Sequence, residues 1–200
     1  MPAPIDYYFD FSSPYGYLIS DQIDGFAARH GREVTWHPVL LGVIFQKTGT
    51  KPLSEIPLKG DYSRHDWQRF ARLMEVPYKH PERFPVPTQA AARAFYWAHD
   101  RDPAKAKALA RALYHAYFEH GEDISDPAKV VEIAARLGLD GAALAEALKG
   151  EALKERLKRE CEAAVERGVF GSPFLIVDGE PFWGSDRLWQ VKRWLDRGGW

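Results

Sequence analysis

A serine and a proline, Ser13 and Pro14, lie where a predicted strand meets a predicted helix. Residues 5–11 alternate as a strand does, and proline suits the first helical position because no N–H donor is needed there. Ser13 would then be the N-cap, with its hydroxyl accepting a hydrogen bond from a free backbone N–H. A helix start also carries about half a positive charge, so it favours anions. The hydroxyl therefore either caps the helix or donates a hydrogen bond to a bound anion.

A nucleophilic role for Ser13 would require a general base beside it. The surrounding residues do not form a G-x-S-x-G turn, and no histidine in the sequence is identifiable as its partner. A serine hydrolase is therefore the least supported of the functions considered for this chain.

A second Ser-Pro pair, Ser172 and Pro173, directly precedes the predicted strand SPFLIVDG. A cis peptide bond here would turn the backbone of Ser172 outward. Its N–H and C=O would then be free to pair with an extended peptide ligand. The alternative is a trans bond in an ordinary turn.

A third constellation, Ser185 and Asp186, lies at the start of the last predicted helix. N–H groups and the Ser185 hydroxyl would hold a carboxylate, while the Asp186 side chain would hold an ammonium group. Together they would bind an α-amino acid. Simple capping by Ser185, with an acidic first turn, is the alternative.

Residues 42–65 are predicted to form a loop with a short helical piece, and this stretch is basic. Its cations are either solvated or form a second anion site; they are Lys47, Lys51, Lys59 and Arg64. The seven histidines are scattered without an H-E-x-x-H spacing, so no metal site is predicted. The single cysteine, Cys161, excludes an intramolecular disulfide and any multi-cysteine metal site.

The elements that must position these residues are read from apolar spacing. Residues 5–41 predict strand, helix and strand, with one helix from Pro14 to Gly31. The loop and a short helix from Asp66 follow, and residues 88–168 are helical, with caps at Thr88, Asp102 and Asp126. Two strands joined at Asp178-Gly179 and a closing amphipathic helix complete the chain.

This order predicts an α/β fold in which early and late strands share one sheet. The domain is βαβ followed by ββα, interrupted by a large all-helical insertion. The expected boundaries are 1–60 and 165–200 for the discontinuous domain and 61–164 for the insertion.

The composition is that of an ordinary globular protein. Hydrophobic residues make up 46% of the 200 residues, charged residues 28%, and the net charge is −1. Neither a nucleic-acid surface nor a polybasic membrane anchor is predicted. The sequence has no apolar run near the roughly 18 to 20 residues of a membrane span, and its start lacks a signal-peptide pattern. A cytoplasmic location is therefore expected.

The predicted order, with a cis-proline before the third strand, resembles the thioredoxin-fold disulfide-bond oxidoreductases of the bacterial periplasm. Those enzymes open the first helix with C-x-x-C, whereas this chain has Ser13-Pro14-Tyr15-Gly16. Both redox sulfurs are missing, which excludes dithiol–disulfide exchange.

The segment FDFSSPYGYL resembles the signature of 2-hydroxychromene-2-carboxylate isomerases and the related kappa-class glutathione transferases. The segments PVLLGVIFQKTGTKP, FPVPT and GVFGSPFLIVDGEPFWGSDRL match in order and spacing, so the resemblance covers nearly the whole chain. In that family the sulfur belongs to glutathione. The resemblance therefore implies glutathione as the cofactor, with Ser13 donating a hydrogen bond to its thiolate.

The resemblance also implies which other residues bind glutathione. Ser172 and Pro173 would pair with its cysteinyl part, and Lys59 matches a lysine that contacts it. The γ-glutamyl end would be held by Trp183, Gly184, Ser185 and Asp186.

The substrate side is where the chain departs from the family pattern. Lys47, Thr50 and Lys51 would meet a substrate carboxylate. The family loop usually reads Gly-Asn-Lys-Pro, and this chain has threonine at position 50. Pro87 likewise replaces an asparagine in the FPVNT-like segment. Both changes affect the expected position of the hydrophobic co-substrate.

The leading hypothesis is thus a glutathione-dependent isomerase acting on a small aromatic carboxylate. It would interconvert 2-hydroxychromene-2-carboxylate-like compounds and benzylidenepyruvates in aromatic catabolism. A kappa-like transferase and a non-catalytic glutathione or peptide binder are the alternatives. The resemblance implies a homodimer, and no nucleic-acid or membrane partner is expected.

Overall fold

The computed structural model describes residues 2–200, and its centre is a four-stranded sheet in the order β2-β1-β3-β4. The strands are β1 (Ile5–Phe9), β2 (Val34–Pro38), β3 (Phe174–Val177) and β4 (Glu180–Trp183). β1 runs parallel to β2 and antiparallel to β3, and β3 forms an antiparallel hairpin with β4. The predicted βαβ unit, the hairpin and the pairing of early with late strands are all confirmed.

Ten helices surround this sheet in the described part of the chain. They are α1 (Pro14–Ser20), α2 (Ile23–Ala28), α3 (Leu41–Thr48), α4 (Lys59–Met74), α5 (Gln89–His99), α6 (Pro103–Phe118), α7 (Pro127–Arg136), α8 (Gly141–Lys149), α9 (Glu151–Glu166) and α10 (Leu188–Arg197). Short 3₁₀ turns precede α4 and α10, at Leu53–Glu55 and Ser185–Arg187. None of the helices in residues 2–200 has the length and apolar character needed to cross a membrane.

An aromatic core joins the sheet to the helices. The ring of Phe9 in β1 stacks on Tyr7 at 5.0 Å and meets Trp36 of β2 edge-on at 5.4 Å. On the helical side it contacts Phe95 of α5 at 6.0 Å and Tyr114 of α6 at 5.7 Å. Helices from the predicted insertion therefore pack directly on the central strand.

The single helix predicted over residues 14–31 is wrong, since α1 and α2 are separated by Asp21 and Gln22. The hydroxyl of Ser20 donates to the carbonyl of Tyr17 at 2.8 Å, and the N–H of Gln22 donates to Ile19 at 3.1 Å. Such local bonds compete with the regular helical pattern and bend it.

The prediction of a loop with a short helical piece over residues 42–65 is confirmed only in part, because α3 is that helical piece but α4 begins at Lys59 rather than near Asp66. α3 buries only Ile44, so it gives no apolar periodicity. α4 turns small or polar residues inward; its buried positions are Gly60, Ser63, Trp67 and Ala71. A Cβ on Gly60 would lie 2.6 Å from the carbonyl oxygen of Ser54, so only glycine allows this approach.

Two of the three predicted N-caps make capping hydrogen bonds and one does not. Asp102 and Asp126 accept hydrogen bonds from the first N–H groups of α6 and α7, as at a regular N-cap. Thr88 precedes α5 but makes no capping bond, since its hydroxyl donates to Asp10 instead. The predicted domain boundaries fall inside α4 and α9, and the division itself stays a prediction.

Candidate functional site

Ser13 caps α1 as predicted. Its backbone is extended (φ −91°, ψ 112°), and its Oγ accepts a hydrogen bond from the N–H of Gly16 at 3.1 Å. Pro14 occupies the first helical position. The side chain is buried, with 4% of Ser13 exposed, so its remaining hydrogen-bonding capacity is not spent on bulk water.

The Ser172–Pro173 peptide bond is cis, which confirms that prediction. The hydroxyl of Ser13 donates to the carbonyl oxygen of Ser172 at 3.0 Å, across 159 residues of sequence. This carbonyl is therefore already hydrogen-bonded to Ser13, and its pairing with a ligand stays a prediction. The two serines form one cluster at the start of α1.

The end of β4 lies against this cluster. The N–H of Gly184 donates to the carbonyl of Pro173 at 2.9 Å. The half-exposed indole of Trp183 covers Gly171, where an added Cβ would lie 2.3 Å from the indole Nε1. The predicted γ-glutamyl segment is thus positioned beside the cis-proline by backbone contacts.

Ser185 and Asp186 belong to the 3₁₀ turn before α10, and the simple capping interpretation of Ser185 is wrong. Neither that turn nor α10 has a side-chain cap, and Ser185 is buried. The carboxylate of Asp186 is exposed and accepts a hydrogen bond from Arg187 at 2.5 Å. An ammonium group of a ligand would have to share this carboxylate with Arg187.

The predicted basic residues lie on or between α3 and α4. Lys47 lies in the last turn of α3 and Lys59 is the first residue of α4, so neither is in a loop. Thr50 shares a hydrogen bond with the hydroxyl of Thr48 at 2.8 Å, and Lys51 is exposed. Arg64 pairs with Asp61 on its own helix. The hydrogen bonds and ion pairs of residues 2–200 do not link these side chains to Ser13, so their predicted role stays a prediction.

Two features of the site were missed from the sequence. The first is Tyr15, whose hydroxyl donates to Asp66 of α4 at 2.5 Å and whose ring meets Trp67 and Phe70 edge-on at 6.4 Å. Burial, and then the bond to Asp66, raise the pKa of Tyr15, so it is a neutral phenol. α4 is thereby fixed against the start of α1.

The second missed feature is Asp10, a buried carboxylate one turn before Ser13. Its Oδ1 accepts hydrogen bonds from the N–H and hydroxyl of Ser12 and from the hydroxyl of Thr88, while Oδ2 accepts from the N–H of Leu41. Burial raises the pKa of Asp10, and the hydrogen bonds oppose that rise. The pattern D-x-S, typical of an Asx-turn, is the signal that could have found it.

The lone cysteine has no part in this site. Cys161 is buried in α9, where its Sγ accepts a hydrogen bond from the N–H of Leu40 at 3.3 Å. Burial raises the pKa of its thiol to about 11, so it is protonated at neutral pH.

Comparison with known proteins identifies the family. The model of the DSBA-like thioredoxin domain matches residues 4–196. A 2-hydroxychromene-2-carboxylate isomerase from Sphingobium xenophagum is 32% identical over 190 residues, which are 94% of this chain and 95% of that protein. The chain belongs to the 2-hydroxychromene-2-carboxylate isomerase family of DsbA-like thioredoxin-domain proteins.

Members of this family and its neighbours share the fold over almost their full length. The solved structure of a 2-hydroxychromene-2-carboxylate isomerase superimposes with a TM-score of 0.87 at 27% identity, covering 96% of this chain and 94% of that one. Human glutathione S-transferase kappa 1 is 25% identical over 200 residues, which are 94% of this chain and 88% of that protein. The predicted thioredoxin-like α/β fold is confirmed.

Proposed function

We propose that the protein is a glutathione-dependent isomerase of 2-hydroxychromene-2-carboxylate-like compounds. The observation that carries the proposal is the buried Ser13 hydroxyl at the start of α1, 3.0 Å from the carbonyl of the residue before the cis-proline. The names of the relatives support the isomerase and glutathione parts of the proposal. A homodimer remains a prediction from the family resemblance, and a cytoplasmic location remains a prediction from the sequence.

The residues present fit a tripeptide thiol. The Ser172–Pro173 segment offers backbone to an extended peptide, and the turn after β4 offers N–H groups and the Asp186 carboxylate to an α-amino acid. A Cβ on Gly184 would lie 2.4 Å from the Asp186 carboxylate, so the glycine lets this side chain fold back over the turn. When bound, glutathione would supply a thiolate that adds reversibly to a conjugated carbon and so permits rotation of the former double bond.

Ser13 would stabilise the anionic sulfur. Its hydroxyl must rotate away from the carbonyl of Ser172, which gives up a hydrogen bond of about 1 kcal/mol. A hydrogen bond to a charged sulfur contributes about 1.5 to 3 kcal/mol, and the helix start adds about 0.3 to 1 kcal/mol. The surplus of about 1 to 3 kcal/mol would lower the thiol pKa by about one to two units.

A spectroscopic titration tests this role. Thiolate absorbance near 240 nm, followed across pH with bound glutathione, should give a lowered thiol pKa that rises by about one unit or more in Ser13→Ala. Ser20→Ala is the matched control, because this buried serine lies on the same helix and its hydroxyl donates to the carbonyl of Tyr17. A wild-type protein that binds no glutathione, or leaves its thiol pKa unshifted, would overturn the proposal.

A glutathione transferase of the kappa type is the second candidate, favoured by the likeness to human glutathione S-transferase kappa 1. It would use the same Ser13 site but would release a stable conjugate. Mass spectrometry of the product decides between them, because an isomer keeps the mass of the substrate and a conjugate gains that of glutathione. A non-catalytic binder would bind glutathione without acidifying its thiol.

A further inference from the structure

The carboxylate of Asp10 is buried next to the cluster formed by Ser13 and Ser172. Only 3% of Asp10 is exposed. Its Oδ1 accepts from the Ser12 N–H at 2.8 Å and from the hydroxyls of Ser12 and Thr88 at 2.9 Å; its Oδ2 accepts from the Leu41 N–H at 2.6 Å. Each oxygen thus receives at least one backbone N–H, a group that can only donate. This arrangement fits the ionised carboxylate, which only accepts.

The four donors come from the beginnings of three helices. Ser12 precedes α1, Leu41 is the first residue of α3, and Thr88 precedes α5. Helix starts carry partial positive charge, so their convergence favours an anion. The burial that raises the pKa of Asp10 is therefore opposed by all three.

The groups packed around Asp10 do not neutralise it. The titratable groups that interact with the Asp10 charge include Cys161 of α9, protonated at neutral pH, and Tyr114 and Tyr117 of α6, whose pKa values burial raises. The hydroxyl of Tyr114 donates to the Asp10 carbonyl at 2.9 Å and not to its carboxylate. In residues 2–200 no ion pair between a basic side chain and Asp10 is formed. A negative charge on Asp10 would therefore face hydrogen-bond donors and helix starts, with no basic side chain paired to it among the described residues.

The main chain of Asp10 is hydrogen-bonded to both serines of the candidate site. The carbonyl of Asp10 accepts from the N–H of Ser13 at 2.8 Å, and its N–H donates to the hydroxyl of Ser172 at 3.1 Å. An anion at this position opposes the positive field at the start of α1.

We propose that Asp10 is a positioning residue whose fixed negative charge limits the acidity of a thiol bound at Ser13. The inference rests on the proposed function. A thiolate becomes a weaker nucleophile as its thiol becomes more acidic. The best attacking thiol therefore has a pKa near the working pH, and a limit on its acidity would keep it reactive. Ser13 and the helix start acidify the thiol, and Asp10 keeps it reactive.

The test replaces Asp10 with asparagine, which has nearly the same shape and no charge. In Asp10→Asn the thiol pKa of bound glutathione, measured near 240 nm, should fall by about one unit relative to wild type. The rate of addition to a small electrophile, divided by the thiolate fraction, should fall about threefold, since nucleophilicity follows thiol basicity with a slope near one half.

Tyr114→Phe is the matched control, because it removes a buried hydrogen bond to the Asp10 main chain and leaves the carboxylate in place. It should lower the melting temperature without shifting the thiol pKa. A thiol pKa that is unchanged or raised in Asp10→Asn, or shifted equally in both variants, would overturn the inference. If wild type lowers the thiol pKa of bound glutathione and Asp10→Asn leaves that pKa unchanged, this inference is wrong and the proposed function is unaffected.

A second measurement covers the case in which Asp10→Asn does not fold. Carbon-13 NMR of the wild-type protein with labelled aspartate follows the Asp10 carboxyl across pH. The inference expects an ionised carboxylate at pH 7. A protonated Asp10 at that pH would overturn it, whatever the outcome of the glutathione titration.

Discussion

At the scale of single residues, Ser13 combines two roles that the sequence presents as alternatives. Its Oγ accepts from the N–H of Gly16 and donates to the carbonyl of Ser172, so it caps the helix and still holds a proton that a ligand could receive. Capping uses a lone pair and anion binding uses the O–H, and a hydroxyl has both. The structural interpretation therefore does not compete with the functional one.

Ser13→Ala should for this reason also lower stability. The lost cap and the lost bond to Ser172 should together reduce the free energy of unfolding by about 1 to 2 kcal/mol. Urea denaturation of wild type, Ser13→Ala and the control Ser20→Ala would measure this change in the free energy of unfolding. A Ser13→Ala protein as stable as wild type would show that the cap is replaced by water at no cost.

For Gly16→Ala we predict a loss of stability, whereas helix propensity alone predicts a gain. Glycine to alanine inside a helix should stabilise it by about 1 kcal/mol. Here the new Cβ would lie 2.5 Å from the hydroxyl oxygen of Tyr114, so Gly16→Ala should cost about 1 to 3 kcal/mol.

The double variant Gly16→Ala with Tyr114→Phe isolates that contact. Removing the hydroxyl should make the added methyl group less costly than it is in the Tyr114 background, as chemical denaturation of the four proteins would reveal. Equal costs in both backgrounds would mean that some other contact rejects the Cβ.

At the scale of elements, the break between α1 and α2 is fixed by a histidine from α6. His115 bonds through Nε2 to Asp21 at 2.8 Å and through Nδ1 to Glu119 at 2.7 Å, with Arg111 also near Asp21. The hydrogen bond to Asp21, followed by that to Glu119, raises the pKa of His115 despite its partial burial. The charged form of the imidazole therefore holds α6 against the turn at Asp21.

This raised pKa predicts how stability changes with pH. The folded protein binds the His115 proton more tightly than the unfolded chain, so the contribution is fully present below about pH 6.5 and is lost as pH rises through the folded pKa. His115→Gln should reduce that loss by about 0.5 to 1 kcal/mol.

Unfolding free energies between pH 5.5 and 8.5 would measure it, with His120→Gln at an exposed position as the control. The unfolding free energy of His115→Gln should change less with pH than that of wild type, while His120→Gln should keep the wild-type pH dependence. Parallel profiles for all three proteins would contradict the assigned role of His115.

The element boundaries show where local sequence suffices. Asp102 with Pro103 and Asp126 with Pro127 start α6 and α7 as predicted, because a cap needs only neighbouring backbone. The turn at Asp178-Gly179 is likewise local, with φ values of 53° and 89°. α3 and α4 could not be read in the same way, because their apolar faces are short or lined by small residues.

At the scale of the whole molecule, β1 is the central strand that brings the site together. It pairs with β2 on one side and with β3 on the other, so the end of β1 meets the segment before β3. Asp10 and Ser13 follow β1, and Ser172 precedes β3, which places residues about 160 positions apart within hydrogen-bond distance. The nine helices from α1 to α9 lie between these segments in the chain without separating them in space.

The sequence by itself determined the βαβ unit, the capped start of α1, the hairpin and the pairing of early with late strands. Each follows from residues that act on their near neighbours or from motifs that match a family over the whole chain. Only the tertiary structure decided that the Ser172 carbonyl is taken by Ser13, that Trp183 covers Gly171, and that Asp10 joins three helix starts. Such contacts depend on distances between remote segments once they are packed, and no spacing along the chain encodes them.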